Sequence, residues 1–214
     1  ELKSKFENLK EKIIWGDELM TIFARSILKE KPNSTFIAEV KCSQRLFDDI
    51  EKHGGNAIMS KVGHSLIKAK MKETDAVLAG EMSGHIFFAD RFFGFDDAIY
   101  SGARLLEILS NSENNLSEFL SDLPKVVNTP EIRFDCPDEY KFEIVKKITS
   151  EFKKSSKVID IDGARIIFEN GWALVRASNT QPALVTRFEA VNAMELEKIQ
   201  TLVEAKVEHL LKEF

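Results

Sequence analysis

The loop over residues 80–85 carries side chains that could bind a polyol such as a sugar. Glu81, Ser83 and His85 lie between and after two glycines, directly behind an apolar stretch that predicts a strand. Glycine lets the backbone turn sharply, and carboxylate, hydroxyl and imidazole groups supply the hydrogen bonds that sugar hydroxyls need. Open α/β sheets bind ligands at the carboxyl ends of their strands. These features favour a sugar-binding loop, and the alternative is a tight turn whose polar groups only cap the backbone.

The loop over residues 176–181 has the composition of a phosphate site. Arginine offers forked donors to a phosphate group, and successive amides in a turn can form an anion-binding nest. Two guanidinium groups, two hydroxyls and one amide occur within a dozen positions, on Arg176, Ser178, Asn179, Thr180 and Arg187. The alternative is a surface turn with an incidental arginine. A small phosphorylated polyol is therefore the ligand that the residues alone indicate.

Two further side chains could act beside such a ligand. His64 follows Gly63 at a predicted helix start, where the positive end of the helix dipole suits an anion. Lys41 ends a predicted strand and would add positive charge, although a single lysine there is more often simply exposed. No histidine, cysteine or aspartate set has the spacing of metal ligands, so we expect no metal site in this chain.

Composition places the chain among ordinary globular proteins. Its 214 residues are 43% hydrophobic and 30% charged, which suits one large domain or two small ones. A net charge of -5 argues against a nucleic-acid binder, and no apolar run approaches the roughly 20 residues of a membrane helix. Cys42 and Cys136 are far apart. We expect them to be free thiols in a cytoplasmic protein with neither nucleic-acid nor membrane partners.

Alternating strands and helices predict an α/β domain over residues 13–115, with a mixed, largely parallel sheet and crossover helices. The predicted strands cover residues 35–40, 56–60, 75–79 and 86–89, and the predicted helices begin near Asp17, Ser43, Ser65 and Asp96. Together these elements position the 80–85 loop at the end of a strand.

A proline-punctuated stretch, residues 116–130, predicts a linker or hinge with a short helix at 116–123. Residues 131–214 then predict a small α+β domain with a four-stranded antiparallel sheet and two helices. Asp162-Gly163 and Asn170-Gly171 are typical two-residue hairpin turns, which need positive φ. The 176–181 loop follows the strand after the second of these turns.

The two loops resemble those of the α-D-phosphohexomutases. Residues 80–88, Gly-Glu-Met-Ser-Gly-His-Ile-Phe-Phe, are similar to the family's sugar-recognition loop, and residues 176–182, Arg-Ala-Ser-Asn-Thr-Gln-Pro, to its phosphate-binding loop. Met82 and the Ser-Asn-Thr triplet resemble the bacterial phosphomannomutase/phosphoglucomutase branch. Phosphoglucosamine mutases usually carry Gln and Ser-Gly-Thr at these places.

The resemblance implies the C-terminal half of a four-domain isomerase. Residues 13–115 would be the third domain, 131–214 the fourth, and 1–12 the tail of the second. The family interconverts hexose 6-phosphates and hexose 1-phosphates through a phosphoserine and a 1,6-bisphosphate, which is both intermediate and activator. The sequence lacks the phosphoserine and Mg²⁺ loops. The missing N-terminal half would supply both, so this chain alone is expected to be inactive.

The resemblance also implies residue roles. Glu81, Ser83 and His85 would bind the sugar, while His64, His85 and Lys41 would assist catalysis by proton transfer or added charge. The phosphate would contact Arg176, Ser178, Asn179, Thr180 and Arg187. Mannose and glucose phosphates are the expected ligands. A phosphoglucosamine mutase and a non-catalytic phosphosugar-binding module remain alternatives.

Overall fold

The computed structural model describes residues 13–213 and separates into two compact units. Their boundary falls between Pro124 and Lys125, inside the predicted linker 116–130. The predicted tail, residues 1–12, lies outside the described residues. No helix in residues 13–213 is long and apolar enough to cross a membrane.

The first unit contains a mixed five-stranded sheet between helices. Its order is β2-β1-β3-β4-β5, with the first three strands parallel and the last two antiparallel. The predicted α/β class is confirmed. The elements are α1 (Gly16–Glu30), β1 (Thr35–Glu39), α2 (Gln44–Lys52), β2 (Asn56–Ser60), α3 (His64–Thr74), β3 (Leu78–Gly80), β4 (Ile86–Phe88), β5 (Phe95–Asp96), α4 (Ala98–Ser110) and a 3-10 turn (Leu116–Glu118).

Strand alternation divides the core of this unit between the two faces of the sheet. Phe36 and Ala38 of β1 pack on the side of α1 and α2, whereas Ile37 packs with Ile67 and Met71 of α3. Successive strand residues point to opposite faces, so an uninterrupted apolar run serves both layers. The sheet is thereby fixed with the carboxyl ends of β1 and β3 side by side.

Three predicted boundaries in this unit were wrong. The cap of α4 is Asp97, whose side chain accepts a hydrogen bond from the Tyr100 amide, whereas Asp96 lies in β5. Strand β3 begins at Leu78 rather than at residue 75, because Asp75 ends α3 in the left-handed region with φ of 50°. The helix predicted at 116–123 is a single 3-10 turn, and Leu116 is buried against Ile22.

The second unit is an antiparallel sheet with two helices on one face. Its elements are β6 (Val127–Asn128), β7 (Ile132–Asp135), α5 (Lys141–Phe152), β8 (Lys157–Ile159), β9 (Ala164–Phe168), β10 (Gly171–Ala177), β11 (Ala183–Ala190) and α6 (Ala193–Leu211). The α+β class is confirmed, but the described part of this unit has six strands rather than four. Both β6 and β7 pair with β11, and β8 extends the other edge beyond β9.

The hairpin turns also differ from their predicted register. Phe168 pairs with Gly171, so Glu169 and Asn170 form the turn between β9 and β10, and φ at Gly171 is not positive. Glycine is needed there for another reason: a Cβ would lie 2.3 Å from the Glu189 carbonyl oxygen on β11. Asp162-Gly163 belongs to the longer loop 160–163.

Candidate functional site

The 80–85 loop holds its shape through its own hydrogen bonds and a buried carboxylate. The Glu81 amide donates to the His85 carbonyl at 2.9 Å, and the Gly84 amide donates to the Glu81 carbonyl at 3.0 Å. The buried Glu81 side chain accepts from the Gly63 amide at 3.1 Å and from the Ser83 hydroxyl at 3.3 Å. Ser83 and His85 are exposed beside it. The loop therefore presents an oriented acceptor with a neighbouring hydroxyl and imidazole.

A second buried carboxylate, Glu39 at the end of β1, supports this loop from the neighbouring strand. Its two oxygens accept from the Met82 amide at 3.1 Å and from the Lys41 amide at 2.6 Å. Burial raises the pKa of Glu39 to about 7, against the opposing effects of Lys41 and the two amides. The Lys41 ammonium nitrogen lies 3.8 Å from the carboxylate. Lys41 is therefore buried beside Glu39 rather than exposed.

The backbone of Gly16, at the start of α1, packs directly against the 80–85 loop. Its amide donates to the Met82 carbonyl at 3.1 Å. A Cβ at this position would lie 2.3 Å from the Glu81 carbonyl oxygen and 2.7 Å from the Gly84 amide nitrogen. Only a residue without a side chain fits this approach.

Asp96 connects the two histidines of the site. Its Oδ2 atom lies 2.7 Å from His85 Nδ1 and 3.7 Å from His64 Nε2, while its Oδ1 accepts from the Ile86 amide at 3.2 Å. The imidazole rings meet edge to face, with centroids 4.3 Å apart. Since a carboxylate only accepts hydrogen bonds, His85 carries a proton on Nδ1 and directs Nε2 away from Asp96. The pair could move a proton at a sugar hydroxyl.

The 176–181 loop is a compact turn in the second unit. The buried Ser178 hydroxyl accepts from the Gln181 amide at 3.2 Å and from the Thr180 amide at 3.4 Å, and the Ser178 amide donates to the Ala183 carbonyl. Asn179 and Thr180 are exposed at the tip. This turn presents an amide, a hydroxyl and backbone donors in one short stretch.

Arg176 stands at the base of this loop with part of its guanidinium group unsatisfied. Its Nε donates to Asp162 at 3.2 Å, and the side chain is 7% exposed. Its Nη2 is buried and makes no hydrogen bond with any residue in 13–213. A buried N–H without a partner costs about 1–3 kcal/mol, so an anionic ligand within reach would be bound favourably.

Lys141, from the first turn of α5, fixes the loop from beneath. Its buried ammonium group donates to the Ser178 carbonyl at 2.7 Å, to the Gln181 carbonyl at 3.2 Å and to Asp138 at 2.6 Å. The three bonds hold both ends of the turn and bring a positive charge under it. Lysine at the start of a helix opposes the helix dipole, and that was the available sequence signal for a special role.

Arg187 lies on β11 rather than in the loop. Its cross-strand partner is Leu174, and it shares a sheet face with Arg176, which pairs with Val185 two positions away. Its guanidinium carbon is 5.9 Å from the centroid of the Trp172 ring. Trp172 in turn donates to Glu189 at 2.8 Å and stacks under Arg165 at 3.8 Å. Arg187 thus shares one face of the sheet with Arg176 and with the stacked and hydrogen-bonded side chains around Trp172.

The structure groups the candidate residues by unit. The first brings His64, Glu81, Ser83 and His85 together, with Lys41 on the supporting carboxylate. The second brings together Arg176, Ser178, Asn179 and Thr180, with Arg187 on the adjoining strand. Sequence reasoning missed the supporting residues Gly16, Glu39, Asp96 and Lys141, because their partners are distant in the sequence.

Comparison with known proteins gives matches for both units. A family model described as phosphoglucomutase/phosphomannomutase, alpha/beta/alpha domain III, matches residues 15–127, and one described as the C-terminal domain matches residues 131–206.

Individual relatives agree. A phosphomannomutase/phosphoglucomutase of Pseudomonas putida is 49% identical over 88% of this chain and 41% of its own length. A phosphoglucomutase of Neisseria gonorrhoeae is 46% identical over 92% of the chain and 43% of its length. A crystal structure of a phosphoglucomutase/phosphomannomutase family protein from Burkholderia thailandensis has a TM-score of 0.84 and 40% identity, covering 92% of this chain and 42% of that one. The chain spans less than half the length of these relatives.

Proposed function

Because this chain belongs to the phosphoglucomutase/phosphomannomutase family and matches its C-terminal half, we propose that it is the substrate-binding half of a hexose phosphate mutase. The full protein interconverts hexose 6-phosphates and hexose 1-phosphates, with mannose and glucose phosphates as substrates. A 1,6-bisphosphate is the intermediate and activator.

One observation carries the phosphate assignment. The Nη2 atom of Arg176, the residue that begins the 176–181 loop, is buried and without a hydrogen bond among the described residues. A phosphate oxygen would satisfy it with a charge-assisted bond of roughly 1.5–3 kcal/mol. Ser178, Asn179 and Thr180 would complete the phosphate contacts, and Arg187 would add charge from β11.

The 80–85 loop supports the sugar assignment. Glu81 is held in one orientation by the Gly63 amide and the Ser83 hydroxyl, and each of its oxygens can still accept a further bond. Two neighbouring sugar hydroxyls, O3 and O4, would bind Glu81 and Ser83. His85 would contact the sugar through Nε2. Binding through these two hydroxyls would accept the sugar in either direction, as exchange of its 1- and 6-phosphates requires.

Phosphoryl transfer depends mainly on positioning and charge neutralisation, and the residues of this chain would supply both for the substrate. Arg176 and its loop would hold the phosphate that is not reacting. The His64–His85 pair, oriented by Asp96, would exchange a proton with the reacting hydroxyl, and Lys41 would add positive charge nearby. The phosphoserine would come from the N-terminal half, the partner of this chain within the full protein.

The described residues do not fit Mg²⁺. Magnesium prefers oxygen ligands in octahedral geometry. The group of possible ligands that residues 13–213 bring together is His64, Glu81 and His85, of which two offer nitrogen. The Mg²⁺ that the family resemblance implies would therefore be held by the N-terminal half, where it would neutralise phosphate charge.

A cytoplasmic location accords with the two cysteines, which are both buried and free. Free thiols persist in a reducing compartment.

A chimera tests the proposed function. The chain would replace the matching segment of the Pseudomonas putida relative, and turnover of glucose 1-phosphate and mannose 1-phosphate would be measured with Mg²⁺ and glucose 1,6-bisphosphate. We expect turnover by the chimera, none by the chain alone, and a kcat/KM reduced at least about tenfold by Arg176→Ala. A folded chimera without turnover would contradict the proposal. Preference for glucosamine 1-phosphate would favour a phosphoglucosamine mutase instead.

A further inference from the structure

His64, Glu81 and His85 form a compact cluster of nitrogen and oxygen ligands. One ligand atom from each lies within 4.8 Å of the others. Two imidazoles and one carboxylate are the ligand types that borderline divalent metals such as Zn²⁺ bind at three protein positions, with the fourth left open. The residues come from two separate stretches of sequence, so ligand spacing did not reveal the set.

The surroundings orient two of the three ligands. Asp96 lies 2.7 Å from His85 Nδ1, which leaves Nε2 unprotonated in the neutral ring. A carboxylate in this position behind a metal-binding histidine fixes its tautomer and raises its basicity. Glu81 is fixed in the same way by the Gly63 amide and the Ser83 hydroxyl. Such orientation lowers the cost of bringing the ligands to one ion.

The cluster is also accessible and adjustable. The side chains of His64 and His85 are 47% and 48% exposed, so an ion can reach them from solvent. Ligands about 2.0–2.1 Å from a tetrahedral ion lie closer together than 4.8 Å. Rotation of the exposed His64 imidazole, with a small movement of His85 that keeps its bond to Asp96, can close that gap while Glu81 stays in place.

We propose that His64, Glu81 and His85 bind a borderline divalent transition metal of the Zn²⁺ type, oriented by Asp96, and that the bound ion excludes the sugar from the 80–85 loop. The site is separate from the Mg²⁺ requirement of the family, because its nitrogen ligands suit Zn²⁺ better than Mg²⁺. Metal binding stands on the cluster alone, whereas exclusion of the sugar rests on the proposed function. The ion would act as an inhibitor that competes with the substrate.

Calorimetric titration of the metal-free chain with ZnCl₂ in a non-coordinating buffer tests the site. We expect saturable binding that His64→Ala and His85→Ala each weaken at least about tenfold, with Asp96→Asn weakening it about 10- to 100-fold. His209→Ala is the matched control, since His209 is an exposed histidine of the second unit, and it should leave the affinity unchanged. Co²⁺ would report four-coordinate geometry through its visible absorption.

Two outcomes would overturn the site. One is that the metal-free chain, shown by circular dichroism to be folded, binds no Zn²⁺. The other is binding that persists at equal affinity in both histidine variants.

Competition between the ion and the sugar is tested separately by repeating the Zn²⁺ titration with saturating glucose 1-phosphate. The sugar phosphate should lower the apparent Zn²⁺ affinity, and an unchanged affinity would contradict exclusion of the sugar by the ion. If the metal-free chain bound no sugar phosphate while the Zn²⁺ site behaved as expected, the proposed function would fail and the metal site would stand.

Discussion

Glu39 accepts a hydrogen bond from the Met82 amide at 3.1 Å. A carboxylate at the end of β1 therefore holds the loop that follows β3, the neighbouring strand in the sheet. The same side chain accepts from the Lys41 amide. This arrangement keeps a titratable group wholly buried under the proposed sugar site. Its protonation therefore affects the stability of the part of the fold on which the site depends.

The first prediction concerns pH. Burial raises the pKa of Glu39 from 4.5 to about 7. Between these values the folded chain keeps a proton that the unfolded chain has lost, so this group makes the free energy of unfolding fall as pH rises. We expect the difference in unfolding free energy between the unmodified chain and Glu39→Gln to shrink by on the order of 3 kcal/mol from pH 4.5 to 7. Urea denaturation at several pH values measures it.

The control for this prediction is Glu113→Gln, which changes an exposed carboxylate of the same unit. Because Glu113 is exposed, its replacement should alter the unfolding free energy far less than Glu39→Gln does. A Glu39→Gln difference that does not change between pH 4.5 and 7 would refute the role assigned to Glu39.

The second prediction concerns Arg176. Removing its guanidinium group by Arg176→Ala should weaken the binding of glucose 1-phosphate at least about tenfold, since a charge-assisted bond is lost. Arg176→Lys keeps the positive charge but not the paired donors of the guanidinium group, so its affinity for glucose 1-phosphate should be intermediate. Lys153→Ala removes an exposed cation paired with Asp160 in the same unit and should have no effect. Equal dissociation constants for the Arg176→Ala variant and the unmodified chain would contradict a role for Arg176 in phosphate binding.

The third prediction makes Lys141 a positioning residue. Lys141→Met keeps an unbranched side chain of nearly the same length but deletes the bonds to the Ser178 and Gln181 carbonyls. The buried Ser178 carbonyl would be left unpaired, at a cost of about 1–3 kcal/mol, whereas the Gln181 carbonyl would keep its bond from the Ala183 amide. Amide hydrogen exchange in the 176–181 loop should therefore accelerate and phosphate affinity should fall. Lys147→Met, on the exposed side of the same helix, is the control. Unchanged exchange and affinity would limit Lys141 to a passive role.

The fourth prediction concerns Gly16. A methyl group from Gly16→Ala would collide with backbone atoms of Glu81 and Gly84, which have to shift. We expect a loss of stability of about 1–3 kcal/mol and weaker binding of glucose 1-phosphate, with inorganic phosphate affinity retained. Gly102→Ala is the matched control, because a Cβ there meets nothing within 4 Å. Equal thermal stability of the two variants would contradict the contact.

Local pattern was sufficient for much of the fold and for the two loops. Strand β2 occupies the predicted residues 56–60, and Ser43 caps α2 as its side chain chemistry favours. The 80–85 and 176–181 loops are recognisable because their polar residues are contiguous. The α/β and α+β classes follow from the order of apolar segments.

Tertiary contacts decided what the sequence could not indicate. Glu39, Asp96 and Lys141 each act on residues at least 11 positions away. No local pattern marks Glu39 or Asp96, and the unfavourable place of Lys141 at a helix start does not identify its partners. The β9–β10 turn was misplaced by one residue because Asn-Gly is a strong turn signal, while the real constraint on Gly171 is the approach of β11. Tertiary structure also forms the cluster of His64, Glu81 and His85. Its members are not at metal-ligand spacing in the sequence, so only the fold brings them together.

The proposal that the 80–85 loop binds the sugar and the 176–181 loop binds the phosphate is tested by calorimetric titration with glucose 1-phosphate, mannose 1-phosphate and inorganic phosphate. We expect tighter binding of the sugar phosphates than of phosphate alone. We also expect Glu81→Gln to remove most of that advantage while leaving the affinity for inorganic phosphate unchanged. Equal affinity for all three ligands, or no binding of any of them by the folded chain, would contradict the proposed sugar and phosphate sites.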